Sequence, residues 1–466
     1  MTFVDRPYFR ELAPFALGVP GALIMGYFAA SPAPSTVLRL GIYGAICVTA
    51  ALALPPHAVI PATVVLVGVS TAFSSSVASA GPATLYVSDV IVLLVLLRGV
   101  APRMRRSPRH ALAGPPQVLF LLFLFVLAVA GARAIMGGIP AASVVRSDLA
   151  LFYWPLLYFG FTRILAEEDL DTRLLWRNLA LVAIGFAVYM FVARALNHPF
   201  QDPGLAQVPT GPGETVPRNF GFASAFTIYP VLAVVGVAGM ANDRAHRVRW
   251  TILASVGSIA TLTTLVRGEI FSLALGILLV LALSPRTGWA AGRSRTAVQL
   301  IFATVASLLT VLAVDPKLGH AVIQRALPFT HQAKEATANA DYRFKAMGAG
   351  IRVARAHPAG LGVLDEQALA DHTLDPGYIA HSGFAILLFF GGWIALAASV
   401  LLLLAIVRRS FQARGSPSWL HPAFVGAIAM LSVYSLSAAG LVGDTWVVPL
   451  GALVVALRFG SPTRDE

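Results

Sequence analysis

Apolar stretches long enough to cross a bilayer recur from one end of this 466-residue chain to the other. That repetition limits its fold more than any motif does. A hydrocarbon core of roughly 30 Å takes about 20 apolar residues in a helix. Inside it, every backbone polar group must be satisfied within the protein. Fourteen candidate spans can be read, bounded by charge or by Pro/Gly clusters: 12–30, 37–54, 58–79, 83–99, 115–136, 147–166, 178–196, 219–240, 250–266, 268–284, 298–314, 382–407, 422–440 and 445–459. Charged residues make up only 12%, against roughly 25% in soluble domains, so a string of soluble domains is excluded. The expected fold is an all-α polytopic transmembrane helical bundle of about 12–14 spans. Transmembrane helices occupy 1–314, a large, partly helical extracytoplasmic loop occupies 315–380, and C-terminal transmembrane helices occupy 381–466. Residues 250–284 read as two short helices broken at Arg267-Gly268, or as a re-entrant pair.

The formal net charge of +12 admits nucleic acid, anionic lipid or positively charged cytoplasmic loops as its cause. The position of the arginines separates them. Clusters at Arg103/Arg105/Arg106/Arg109, Arg163/Arg173/Arg177, Arg244/Arg247/Arg249, Arg286/Arg293/Arg295 and Arg408/Arg409/Arg414 all fall on one side when both termini are cytoplasmic. That is the positive-inside pattern, and it points to a multi-pass membrane protein with both termini cytoplasmic and no nucleic-acid partner. The single cysteine, Cys47, lies in an apolar run, so neither an internal disulfide nor a cysteine metal site is expected. The apolar run after the polar residues Met1 to Glu11 reads as an anchor rather than a cleaved signal.

The remaining basic residues break the inside rule. Arg133, Arg146, Arg218 and Arg267 sit where spans meet the outer surface, and Arg39, Arg194, Arg325, Arg343, Arg352, Arg355 and all three lysines also lie outward. Ionisable groups at membrane depth are costly and usually functional. Arginine offers a planar fork of donors suited to phosphate and keeps its charge in apolar surroundings. Outward arginines therefore point to an anionic ligand such as a lipid-linked pyrophosphate. Structural roles compete with that reading: Arg39 and Arg194 can snorkel, Arg146 can pair with Asp148, Arg218 with Glu214, and Arg267 with Glu269 or Asp89.

The outer loop carries chemistry of its own. Periodic stretches near 320–327 and 342–356 read as short helices. Tyr342-Arg343 opens the second, which ends at His357-Pro358-Ala359-Gly360-Leu361-Gly362, where Pro and two glycines make a turn. The chain re-enters the membrane at His381-Ser382-Gly383. A histidine at the mouth of a span is a candidate general base toward a hydroxyl, or an interfacial residue bonded to backbone.

Together these segments resemble the C-terminal signature of the bacterial O-antigen ligase/polymerase family. In that family an arginine-bearing helix leads to a Gly-rich His-Pro turn, and a histidine then starts a helix carrying a Gly-x-x-Gly-type segment. The matching residues are Tyr342-Arg343, His357 to Gly362, His381 to Phe384 and Gly391-Gly392. Upstream, Thr264-Leu265-Val266-Arg267-Gly268 is similar to the family's Ser-Arg-Gly at the head of a span. Val216-Pro217-Arg218 to Gly221 is similar to an arginine-and-glycine segment leading into a span, and Ser88-Asp89 to an early Ser/Thr-Asp helix. The resemblance covers roughly 83–455, with motif detail at about 210–395. Val266 stands where Ser is usual, Ser382 where Asn is usual, and Phe390 near where an acid is common.

The resemblance implies a metal-independent, inverting glycosyltransferase without a cofactor, acting at the outer face of the inner membrane. Its partners would be the lipid bilayer, a polyprenyl-diphosphate-linked glycan donor, a glycan or lipid-linked acceptor, and other membrane proteins of polysaccharide assembly. It implies that Arg218 and Arg267 hold the diphosphate and stabilise it as it leaves. His381 would orient or deprotonate the acceptor, and Arg343 would support the site. Arg133, Arg146 and Tyr342 join them as candidate substrate-binding residues.

Three other readings compete. A polyprenyl-phosphate-sugar transferase usually carries acids in its first outer loop, and residues 31–36 hold none. Asp169-Leu170-Asp171 mimics a nucleotide-sugar metal motif but lies in a short acidic cytoplasmic linker with Glu167 and Glu168. The loop histidines lack close ligand spacing for a metal. A flippase or transporter of lipid-linked oligosaccharide would need basic residues lining mid-membrane depth, whereas this chain concentrates them at the outer ends. Polymerase and ligase differ only in acceptor, and the sequence leaves both open.

Overall fold

The computed structural model describes residues 54–55, 58–63, 76–80, 83–86, 95–96, 98, 115–145, 207–211, 214–217, 228–242, 247–284, 315–326, 333–364, 382–412 and 420–435, with isolated helical positions between 151 and 188 and between 305 and 313. The expected spans 12–30, 298–314 and 445–459, nearly all of 37–54, and most of 147–166 and 178–196 lie outside these residues or touch them only at isolated positions. The same holds for Arg146, Arg218 and His381.

The described chain is helical with two short hairpins. The helices are α1 (Pro115–Met136), α2 (Ile228–Asn242), α3 (Arg247–Thr263), α4 (Arg267–Leu283), α5 (Pro316–Ala326), α6 (Ala333–Ala356), α7 (Gly383–Gln412) and α8 (Leu420–Ser435). Two segments, Val118–Met136 in α1 and Gly383–Ala405 in α7, are long and apolar enough to cross a membrane. On α1, Val118, Leu121, Phe125 and Met136 are exposed on a helix that carries no charge before Arg133, a face suited to lipid rather than water.

The hairpins correct an expectation of helices alone. Strands β1 (Ser76–Ala80) and β2 (Ala83–Tyr86) pair antiparallel with Ala80 opposite Ala83. They fall where the end of span 58–79 and the start of span 83–99 were expected to be helical. Gly81-Pro82 lies between them in the sequence, and Ser, Thr and Val favour strand over helix here. Strands β3 (Gln207–Gly211) and β4 (Glu214–Pro217) pair in the same way across Pro212-Gly213, between the expected spans 178–196 and 219–240. Both ladders carry a register irregularity, at Ser76/Ala78 and Pro209/Gly211.

Small residues set the packing of the helical core. A Cβ on Gly236 of α2 would lie 2.5 Å from the Ala254 backbone nitrogen of α3, and one on Gly257 would lie 2.6 Å from that of Ala233. Gly239 admits the Trp250 ring in the same way. The pair is antiparallel, since rising numbers on α2 meet falling numbers on α3. Gly276 of α4 and Gly426 of α8 face each other's carbonyls, at 3.1 and 2.8 Å from the built Cβ positions, and that pair is antiparallel as well. Val234 of α2 lies against both glycines, so α2, α3, α4 and α8 form one cluster around α2, whose residues from Tyr229 to Met240 are all buried. Close backbone approach through small residues is how helices associate where apolar burial gives no preference over lipid.

A second unit joins α1, α6 and α7. Helix α7 is broken at Gly392 (φ 61, ψ −155). The carbonyls of Phe389 and Phe390, released at the break, accept the N–H groups of Leu361 (2.7 Å) and Gly362 (2.8 Å), and Trp393 N–H returns a bond to Pro358 O at 3.0 Å. The turn after α6 is thus inserted into the break. On its other side, Gly362 abuts the Ala130 carbonyl of α1, and Val363 is buried with Ala134 and Val144. Above the break every residue from Ala385 to Gly392 is buried, whereas below it Trp393, Ile394, Val400, Leu401 and Leu404 are exposed.

Candidate functional site

The joint between α3 and α4 carries Arg267, and its local geometry follows from the sequence. Two β-branched Thr residues, Thr263 and Thr264, end α3, and Leu265 takes a left-handed conformation (φ 59). A left-handed residue is a common helix stop, usually glycine. Leucine stands there because its side chain is fully buried with Leu318, Ala321 and Val322 of α5. That burial offsets a left-handed cost of about 1–2 kcal/mol. Val266 then caps α4 without a side-chain bond, and Arg267 is the first helical residue. Sequence and structure agree on this break.

Below the joint is a polar cluster. The Thr264 hydroxyl lies 2.7 Å from the Thr261 carbonyl and 3.2 Å from Glu269 Oε2, with one proton to donate, and accepts the Val266 N–H at 3.3 Å. Glu269 is fully buried in the first turn of α4, and its Oε1 has no hydrogen-bond partner. The Tyr229 hydroxyl, buried in the first turn of α2, likewise has none. Ser272, one turn further along α4, donates to the Glu269 carbonyl at 3.0 Å. From sequence, Glu269 figures only as a structural partner for Arg267, and Tyr229 and Thr264 carry no signal as a set. The usable sign was a carboxylate in the first turn of an otherwise apolar helix.

Described chain next to several expected site positions meets at this end of the helical cluster. Antiparallel packing of α4 and α8 puts the start of α4 level with the end of α8. There the Ser382 hydroxyl, beside His381 in sequence, donates to the Ser435 carbonyl at 3.5 Å. The same Ser382 oxygen accepts the Ala385 N–H and caps α7. Hairpin β3–β4, which ends at Pro217 just before Arg218, packs on α5, and α5 packs on the α3–α4 joint. The chain flanking Arg218, Arg267 and His381 is therefore gathered at one end.

Tyr342 and Arg343 lie on α6, which begins at Ala333, nine residues before the expected start. Helix α6 lies along α7, with Gly350 in contact with Ala385 and Leu388. Since residues 360–362 meet Phe389 and Phe390, the two helices run the same way. Position 343 is thus toward the His381 end of α7. Arg133 is placed elsewhere: it is exposed, and its Nη1 donates to the Ala359 carbonyl at 3.3 Å, which ties α1 to the inserted turn. Arg146 follows the short helical turn 141–145, whose Val144 supports that same insertion.

In comparisons with known proteins, no family model and no curated protein matches this chain.

Proposed function

We propose that this chain is a polytopic inner-membrane glycosyltransferase of the O-antigen ligase/polymerase type. It transfers a polyprenyl-diphosphate-linked glycan to an acceptor hydroxyl at the outer face. The observation that carries the reading is the gathering, at one end of the helical cluster, of the chain that flanks Arg218, Arg267 and His381. Those three residues lie far apart in sequence, and the resemblance gives each a role in one reaction.

In that reaction the acceptor oxygen attacks the anomeric carbon and the bond to the diphosphate breaks. His381 takes the acceptor proton, and Arg218 and Arg267 stabilise the charge that develops on the leaving diphosphate. Preorganised cations aimed at developing charge usually make the largest catalytic contribution, and a general base typically adds 10²–10⁴-fold. Arg343, on α6 alongside α7, supports the acceptor side together with Tyr342. The inserted turn, with Arg133 and the segment leading to Arg146, fixes α6 against the membrane helices.

Deletion of the gene followed by glycan analysis tests this reading, with complementation by wild type, Arg267→Ala and His381→Ala. Loss of surface polymer with accumulation of single lipid-linked repeats identifies a polymerase, and accumulation of unattached long chains identifies a ligase. Normal polymer with both variants overturns the assignment.

A further inference from the structure

The transferase reaction makes no use of the cluster beneath Arg267, and its composition is unusual for the interior of a membrane protein. Three helix ends supply it. Gly276 of α4 packs on Val234 of α2, and these two helices run in the same direction, since α3 is antiparallel to α2 and ends beside its start, where α4 begins. Five residues back along each, Tyr229 stands level with position 271. A helical side chain leans toward its own N-terminus, so the tyrosine leans toward the level of Glu269. From the opposite direction α3 brings its last turn, with the Thr261 carbonyl and the Thr264 hydroxyl. Gly257, one turn before Thr261, sits against the Tyr229 carbonyl, which closes the triangle.

The described side chains of the cluster are rich in oxygen and offer few protons. Glu269 is fully buried, yet its only hydrogen-bonding neighbour among the described residues is Thr264, whose single proton already has a nearer acceptor in the Thr261 carbonyl. Oε1 of Glu269 and the Tyr229 hydroxyl have no partner at all among the described residues. A carboxyl withdrawn from water takes up a proton unless a counter-charge and further oxygen or N–H contacts hold it ionised. Oxygen-only donor sets suit hard cations, and breaks between membrane helices are where released carbonyls and carboxylates hold such ions. One carboxylate matches one positive charge, whereas divalent ions gather several.

We propose that Glu269, the Thr264 and Tyr229 hydroxyls and the Thr261 carbonyl form a buried binding site for a single monovalent cation, which ties the ends of α2, α3 and α4 together. Binding to the folded state alone stabilises it by mass action. The full-length protein, purified in detergent, is unfolded thermally in increasing NaCl, with choline chloride replaced to hold ionic strength constant, and in a parallel KCl series. The expected result is a midpoint that rises with sodium, or with sodium and potassium alike, while choline alone has no effect. Glu269→Gln abolishes the response. Tyr229→Phe and Thr264→Val each remove one ligand and move the response to about tenfold higher salt, one decade in affinity. If Glu269→Gln does not fold, the Tyr229→Phe series decides. Superimposable midpoints for wild type in all three salts overturn the proposal, as does a sodium response left unchanged by Tyr229→Phe. No glycan enters the assay, so its outcome is independent of the transferase reading.

Discussion

Replacing Gly392 with alanine attacks the break at which the turn after α6 is built into a membrane-length helix. At φ 61 and ψ −155, Gly392 occupies a region essentially reserved for glycine, and an L-residue there costs about 1–3 kcal/mol. A Cβ would also lie 2.0 Å from the Pro358 carbonyl oxygen and 2.6 Å from the Gly360 nitrogen. Both are backbone atoms, so no flexible side chain can yield. The alternative is for α7 to straighten and expel the turn. That forfeits the bonds from Leu361 to Phe389, Gly362 to Phe390 and Trp393 to Pro358, at about 0.5–1.5 kcal/mol each. By either route Gly392→Ala loses roughly 2–5 kcal/mol. Thermal unfolding in detergent is expected to show a midpoint lower by roughly 2–5 °C. Trypsin is expected to cleave faster after the exposed Arg355, next to the released turn. Gly348→Ala is the control. Its nearest neighbour would be Arg352 Nη1 at 3.8 Å, and alanine in place of glycine in a helix gains up to about 1 kcal/mol. Wild-type midpoint and wild-type proteolysis for Gly392→Ala would refute the insertion.

The same unfolding assay checks two further expectations. Gly236→Leu drives a side chain into the backbone of α3 at Ala254 and is expected to cost at least the 1–3 kcal/mol typical of overpacking. An unchanged midpoint would mean that α2 and α3 are not in close contact. Leu265→Ala empties its contact with Leu318, Ala321 and Val322, for a loss of about 2–5 kcal/mol. Leu265→Gly, equally empty but at ease with φ 59, is expected to be about 1 kcal/mol less harmful. The reverse order would deny the left-handed joint.

Parts of this fold were legible because a single physical signal determined them. An apolar run from Val118 to Ala132, between Pro115 and Gly137, marks α1. The charged Arg267-Gly268 step inside an apolar stretch marks the joint between α3 and α4. The Pro and glycines after His357 mark the end of α6. Other parts depended on contacts that no local pattern encodes. Residues 76–86 mix small, β-branched and hydroxyl side chains, for which apolar character cannot separate strand from helix. The first third of α6, Ala333 to Asp341, is polar and lacks an apolar stripe, although its alanines favour helix. Gly391-Gly392 stands out as a motif, but the break matters because Pro358 and Gly360 fill it, and that is a tertiary fact. Glu269 was visible as a charge next to Arg267. Its isolation from bonding partners emerges only once α2 and α3 are packed around it.

Reconstitution tests the proposed transferase reaction most directly. The full-length protein is placed in liposomes with a polyprenyl-diphosphate-linked oligosaccharide and a glycan acceptor, and release of the polyprenyl diphosphate is followed with glycan extension. The account predicts turnover by wild type. Arg267→Ala is expected to cut the rate by about 10²–10³-fold and His381→Ala by about 10²–10⁴-fold, with both variants folded as judged by their unfolding midpoints. Folded Arg267→Ala and His381→Ala proteins that turn over at the wild-type rate would contradict it.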